Sequence, residues 1–533
     1  MAVSALSDLD RLIKFVCIGT ENGVHHVHRP TSFSIESTAS IDSILQSQEK
    51  SLKALEIIKH VFEHKEFNRK ETMLYALARF IRSSSREGKE DAKVREKAYL
   101  LSLEVCETFE ELFIFIDFNK RLHSENKSIG GRGMRDLIKH FYGRKSPMEL
   151  VMEATRCKSG KGFTHRDVLK LVHMNALSKG EDMNAVVTYL LYGKRSIQKL
   201  EENQDSGVQE VLKFIKALES IKSCSNLEME VVRSLIEQHS LRESQIPSWC
   251  SQHSEAFEGY IGHMSLDELI RSIPKMASLG MLDPHSVQSE RIIARLKDEE
   301  ALLNEKLSPV MVFSFMKKYE LNREKKWLRN QELIDAFSDA YKASLKSVPS
   351  TGKRHLLAVH VNSKVTKLHV LGSAILSPIM PSAVMAQILA HSEQQFEIVF
   401  FHTVTTKLNI TKDMNTVGVL EQILLAARDP TNEQSDLTQP FSWASSNHRL
   451  FDNILVVTDK KMVASNQALI DAISQYRSSC QEDAKVAIVG LSDCLQIPNS
   501  DDLNYLDISG FDETVPRLIQ KFFEGNSTGS LME

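Results

Sequence analysis

No stretch of this chain approaches the roughly 18 consecutive apolar residues that a membrane-spanning helix requires. Its first residues, MAVSALSDLDRLIKF, also lack the basic, then apolar, then small order of a secretory signal. A cytoplasmic location, or also a nuclear one, is the expectation, with no membrane partner. Cysteine is sparse and scattered, at Cys17, Cys106, Cys157, Cys224, Cys250, Cys480 and Cys494. Without a C-x-x-C pair or a histidine at zinc-ligand spacing, these read as reduced thiols rather than a disulfide framework or a zinc module. Catalytic signatures are missing as well: no G-x-S-x-G, Walker A, H-E-x-x-H or paired-carboxylate pattern stands in a supportive context. Neither an enzyme nor a bound cofactor is expected.

What the chain does have is length for two or three cores: 533 residues, 42% of them hydrophobic and 26% charged, the balance of soluble globular domains. The net charge of -4 would count against a nucleic-acid ligand if it were spread evenly, so its distribution decides the matter. Residues 120 to 200 carry 17 Lys and Arg against 7 Asp and Glu, a local net charge of +10, leaving -14 for the remainder. A polyanion has a place to dock, although charge alone equally fits a solvated helix face.

From about residue 47 to 345, amphipathic stretches with apolar residues at helical spacing alternate with short polar breaks. Leu52, Leu55, Ile58 and Phe62 form one such stripe, and Met73, Leu74, Leu77 and Phe80 another. Helix starts are marked at Thr108, at Ser146-Pro147, and by the capping-box spacings Thr164/Asp167 and Ser265/Glu268. Ten or more helices with hardly a strand between them predict a helical-pair solenoid over 1–350. After Pro349-Ser350-Thr351-Gly352 the pattern changes. Short β-branched runs at 355–361, 396–401, 454–457 and 486–489 alternate with helical segments, predicting a doubly wound α/β domain over 351–533.

In such a sheet function sits at the carboxyl ends of the strands. The loop His360-Val361-Asn362-Ser363-Lys364 places an ammonium amid its potential ligands, which suits a hard cation poorly, and Asp459 is the one well-placed acid. His25-His26-Val27-His28 has no carboxylate or thiolate partner and reads as surface histidines beside a turn. Gly130-Gly131-Arg132-Gly133 reads as a hinge rather than a phosphate loop, since no strand precedes it. The basic strip is the stronger candidate. Arg166, Lys170 and His173 fall four and three apart on the helix opened by Thr164, and the loop Arg156-Cys157-Lys158-Ser159-Gly160-Lys161-Gly162 precedes them.

The run Gly162-Phe163-Thr164-His165-Arg166-Asp167-Val168-Leu169-Lys170-Leu171-Val172-His173 resembles the signature helix of the Ro autoantigen ribonucleoprotein family, the TROVE-domain proteins. Collinear likenesses include Arg11-Leu12 through Phe15, Met73 through Ala78, Gly131-Arg132 with Arg135, Met264 through Met276, Thr351 through Arg354 and Ser509 through Asp512. The resemblance implies a monomeric ring of HEAT-like helical repeats followed by a von Willebrand A-like domain. It also implies Y-like small noncoding RNA on the outer surface and the ends of misfolded small RNAs in the central hole, a quality-control role. His173 matches the family's RNA-contacting histidine, Arg156 matches a contacting lysine in type, and Gly160 stands where the family has an arginine. Together with the strip, the expected RNA contacts are Lys120, Arg121, Arg132, Arg135, Lys139, Arg156, Lys158, Lys161, His165, Arg166, Lys170 and His173.

In the A domain the family's Asp-x-Ser-x-Ser metal site is replaced by His360, Asn362 and Lys364, with Ser435 in place of the distal Thr and Asp459 the remaining acid. Such replacements remove Mg binding of the usual kind and leave metal-independent protein contacts for this domain. The other expectation that the pattern leaves open is a helical-repeat protein-protein adaptor that has lost RNA.

Overall fold

The computed structural model describes residues 6–525 except 22–23, 66–68, 83–88, 123–130, 174–179, 323–325, 361–368, 374, 403, 428–435, 459–465, 481–482 and 493–501. Helices dominate the chain from Asp8–Ile18 to Gln331–Lys346. The sequence markers start them as expected. Thr108, Ser146, Thr164 and Ser265 each close a capping box, satisfying two of the backbone N–H groups a helix start leaves open. Each helix then buries its apolar stripe against neighbours near in sequence: Lys70–Arg82 packs on Lys89–Val105 and Phe109–Arg121, and Met229–His239 on Ser254–Ile261.

The strands are β1 (His25–His26), β2 (Ser159–Gly160), β3 (Phe163–Thr164), β4 (Arg354–His360), β5 (Gln395–Phe400), β6 (Thr406–Leu408), β7 (Asn453–Thr458), β8 (Lys485–Gly490) and β9 (Tyr505–Ser509). Seven of them form one sheet in the order β1-β9-β8-β7-β4-β5-β6, parallel throughout except for the antiparallel β5–β6 edge. The four β-branched runs lie in β4, β5, β7 and β8 within a residue or two. They are continuous in hydrophobicity because both faces are buried. Leu356, Ala358, Ile454, Val456 and Ile488 face the helices Gln439–Ser446 and Asn466–Cys480, while Leu357, Val359, Leu455 and Val457 belong to the core shared with the helical region.

Five strands escape the sequence pattern, one of them the three-residue β6. β1 is too short to show a period, and β9 carries Asp507 in its middle. The hairpin β2–β3 interrupts a stretch expected to be helical. The histidine run is corrected too. His25 is buried, with Nδ1 2.7 Å from the Ile18 carbonyl, because β1 pairs with β9 and so packs into the sheet rather than lying on the surface. His26 and His28 do share a face, their rings 5.8 Å apart. The supposed hinge is a helix start instead: Gly131 caps Arg132–Gly143, and a Cβ at Gly133 would come within 2.5 Å of the Tyr99 ring, so glycine permits a close helix crossing.

Both ends of the helical region rest on the C-terminal domain, β1 on strand β9 and Gln331–Lys346 on helix Ile379–Ser392.

Candidate nucleic-acid interface

The interface is assembled from a hairpin and the helices on either side of it. Helix Pro147–Arg156 ends at Cys157, and the chain turns back through β2 and β3 with Ser159 opposite Thr164 and Gly160 opposite Phe163. Only Lys161 and Gly162 remain for the turn, and both take positive φ, 51° and 82°. This is the geometry of a tight two-residue hairpin turn, normally signalled by Asn-Gly or Asp-Gly, which is why Lys-Gly went unread. It leaves Lys161 exposed at the tip.

Helix His165–Leu171 begins at once, because Thr164 and Asp167 cap each other: the Asp167 N–H donates to Thr164 Oγ1 at 3.2 Å and the Thr164 N–H to Asp167 Oδ2 at 2.9 Å. Val168 and Leu169 go into the core, and Arg166 and Lys170, four residues apart, stay exposed on one face. Lys161, Arg166 and Lys170 make no hydrogen bond or ion pair with any described residue. His173 is exposed but not on the helical stripe, which corrects that part of the expectation. The helix stops at Leu171, and His173 has φ 51° with its N–H bonded to the Lys170 carbonyl at 3.0 Å.

Lys120 joins this group from the last turn of Phe109–Arg121, its ammonium 5.3 Å from the centre of the Phe163 ring. Sequence reasoning missed Phe163 as that platform, since nothing local connects residues 120 and 163. Arg121 turns back instead, 2.7 Å from Asp117 and over Phe118. On helix Arg132–Gly143, Arg135 is half-buried and Lys139, four residues on, is exposed. Arg132 is almost fully exposed, 3.8 Å from Asp136. Part of the strip is structural. Arg144 donates to the Leu103 carbonyl at 2.9 Å and to Cys106, and Lys145 pairs with Glu153 at 2.5 Å.

His165 is a correction. It is 4% exposed, with Nδ1 2.7 Å from the Tyr142 hydroxyl, Nε2 2.7 Å from the Cys157 carbonyl, and Phe109 edge-on at 4.6 Å. Burial pushes its pKa down to about 4, so it is a neutral core residue and cannot touch RNA. Arg156 and Lys158 face a seam rather than the hairpin tip. Lys158 Nζ donates to the Gln245 carbonyl at 3.3 Å, and Gln245 in turn donates to Thr155 Oγ1 at 2.8 Å. Burial, then the nearby Arg242, lowers the Arg156 pKa, and burial, then Lys222, lowers that of Lys158. The loop from Arg156 to Lys161 is thus split between two environments. Gly160 has a packing reason to be glycine, since a Cβ there would lie 2.9 Å from Phe113 Cδ2.

Of the degenerate metal-site positions, Asn362, Lys364, Ser435 and Asp459 lie outside the described residues. His360 ends β4, buried against Phe400 and Phe401 with ring centres 6.2 and 5.4 Å away. An imidazole in an aromatic box is not the oxygen donor a hard cation needs. Among the described residues no group of three or more His, Cys, Asp or Glu is placed to hold a metal ion, and no helix is long and apolar enough to cross a membrane.

A many-helix scaffold that displays exposed cations beside a hairpin and leads into a mostly parallel sheet defines a class of proteins that couple a helical region to a von Willebrand A-like domain. Residues 354–523 match the family model described as the Ro60 vWA domain. The chain is similar to the RNA-binding protein RO60 of Caenorhabditis elegans, 25% identical over 98% of this chain and 89% of that one. It is also similar to the RNA-binding protein RO60 of Deinococcus radiodurans, 23% identical over 98% and 94%. The crystal structure of the Deinococcus radiodurans RO (RSR) protein superposes with a TM-score of 0.84 at 22% identity, covering 97% of this chain and 100% of that one. The chain is thus similar to Ro60 proteins over nearly its whole length, and its C-terminal domain matches their A-type domain.

Proposed function

We propose that this protein is a non-enzymatic binder of a structured small noncoding RNA, Y-like in the sense of its family, and that it also receives the ends of misfolded small RNAs in the cytoplasm. The observation that carries the reading is the exposed set Lys161, Arg166 and Lys170, unpaired among the described residues and flanked by Lys120 on Phe163. Unpaired cations on a rigid hairpin and helix meet phosphates without first breaking internal ion pairs. The names of the Caenorhabditis and Deinococcus relatives support the same ligand class. Few exposed aromatics surround the set, so backbone charge and duplex shape carry the binding rather than base stacking.

The affinity for a stem-loop RNA is then steeply salt-dependent. Arg166→Ala with Lys170→Ala lowers the log–log salt slope by about 2, one for each lost phosphate contact. A flat salt dependence, or a slope indifferent to both substitutions, counts against the reading.

A further inference from the structure

A cavity of about 580 Å³ lies between the helical region and the A domain, lined by no residue of the basic strip. Its walls are apolar and come from both sides, Leu307 and Pro309 from the helical region and Met385, Ile388, Leu455 and Ile519 from the A domain. A volume in this range is that of sites for small organic ligands, which combine apolar walls with a few charged groups that set orientation.

The charges are asymmetric. Lys306, Arg517 and Arg271 line the cavity toward the start of helix Val515–Glu524, where Arg271 pairs with Glu513 and the Ser308 hydroxyl donates to the Glu513 carbonyl at 3.3 Å, and the first-turn N–H groups add partial positive charge. Arg271 is neutralised by Glu513 at 2.9 Å and Asp267 at 2.7 Å. Lys306 and Arg517 are exposed and pair with no described residue. At the other end stands the buried Glu393. Its oxygens are held by the Thr351 and Gly352 N–H groups at 2.8 and 3.2 Å and by the Ser350 hydroxyl at 3.0 Å. A fixed carboxylate there repels a second anion, whereas the unpaired Lys306 and Arg517 attract one.

We infer that this cavity binds a single-headed amphipathic anion, an aliphatic chain carrying one carboxylate, with its head at Lys306 and Arg517 and its chain along Ile388, Leu389 and Ile519. Because the two walls belong to different domains, an occupant ties the helical region to the A domain.

The test uses the full chain and dodecanoate, with dodecanol as the uncharged probe of equal length. Dodecanoate binds saturably in calorimetry below about 1 mM and raises the melting temperature, and dodecanol binds at least about tenfold more weakly. Arg517→Glu and Lys306→Glu, both at exposed positions, each weaken dodecanoate by about tenfold or more while leaving dodecanol unchanged. No saturable binding overturns the inference. So does equal affinity for the alcohol, or dodecanoate binding indifferent to both charge reversals.

Discussion

The Val27 backbone N–H donates to the Ser509 carbonyl at 2.9 Å, so a residue from the start of the chain completes the far edge of the C-terminal sheet. The side chain of Val27 is received by two glycines. A Cβ at Gly510 would lie 3.1 Å from Val27 Cβ and 2.7 Å from the Leu371 carbonyl oxygen, and one at Gly372 would lie 2.9 Å from Val27 Cγ1. Both glycines have positive φ, 97° and 92°.

Gly510→Ala is therefore expected to loosen this closure, since it adds both a clash and backbone strain, together on the order of 1–3 kcal/mol. Hydrogen exchange should accelerate at Val27 and along Asp8–Ile18 before the interior of the sheet is affected. Unchanged protection at Val27 would mean that the strand is not held by this packing.

His165 gives stability a pH dependence. Its folded pKa, about 4, lies below the unfolded value near 6.5, so the unfolded chain takes up the proton first. The stability is complete above pH 6.5 and is lost as pH falls toward 4, on the order of 3 kcal/mol over that window. His165→Gln cannot titrate and should flatten the loss between those pH values in denaturant titrations. Equal slopes in both proteins would show that this imidazole is not the group responsible.

Asp507 acts in the opposite direction. Burial pushes its pKa up to about 7, despite the Tyr505 hydroxyl at 2.8 Å and the charge of Lys14. The folded protein holds this proton more tightly than the unfolded chain, so stability falls as pH rises from about 4 to 7. Asp507→Asn keeps an acceptor for Tyr505 without the buried charge. It should raise the melting temperature at pH 8, by up to about 4 kcal/mol in stability, and change little at pH 4. A lower melting temperature at pH 8 would point to a Lys14 pairing stronger than the burial cost.

Gly160→Arg restores the residue that the family resemblance implies, yet it is expected to weaken the hairpin. Phe113 is fully buried and cannot withdraw from a Cβ at 2.9 Å without disturbing the core, a cost of about 1–3 kcal/mol. Thermal melting and RNA affinity read the two effects separately, and tighter RNA binding with unchanged melting would refute this packing argument.

Much of this architecture was legible in the chain because the signals are local. The capping pairs at Thr108, Ser146, Thr164 and Ser265 start helices where their spacing says, and the runs that became β4, β5, β7 and β8 are continuous because parallel strands are buried on both faces. β1 and β9 were not legible. Two residues show no period, and Asp507 breaks the apolar run that would mark a central strand. The candidate interface was readable as charge and spacing at Arg166 and Lys170, whereas the end of the helix before His173 carried no local signal.

By itself, then, the sequence determined the order of helices and strands, the cationic character of residues 120 to 200 and the likeness to a known family, all properties of neighbours along the chain. Only the tertiary structure decided which cations remain available. It buried His165 against Phe109 and Tyr142, spent Arg144 and Lys145 on internal partners, set Lys158 against Gln245, and left Lys161, Arg166 and Lys170 exposed. The physical reason is that a cation's availability depends on desolvation and on partners distant in sequence, which neither composition nor periodicity encodes.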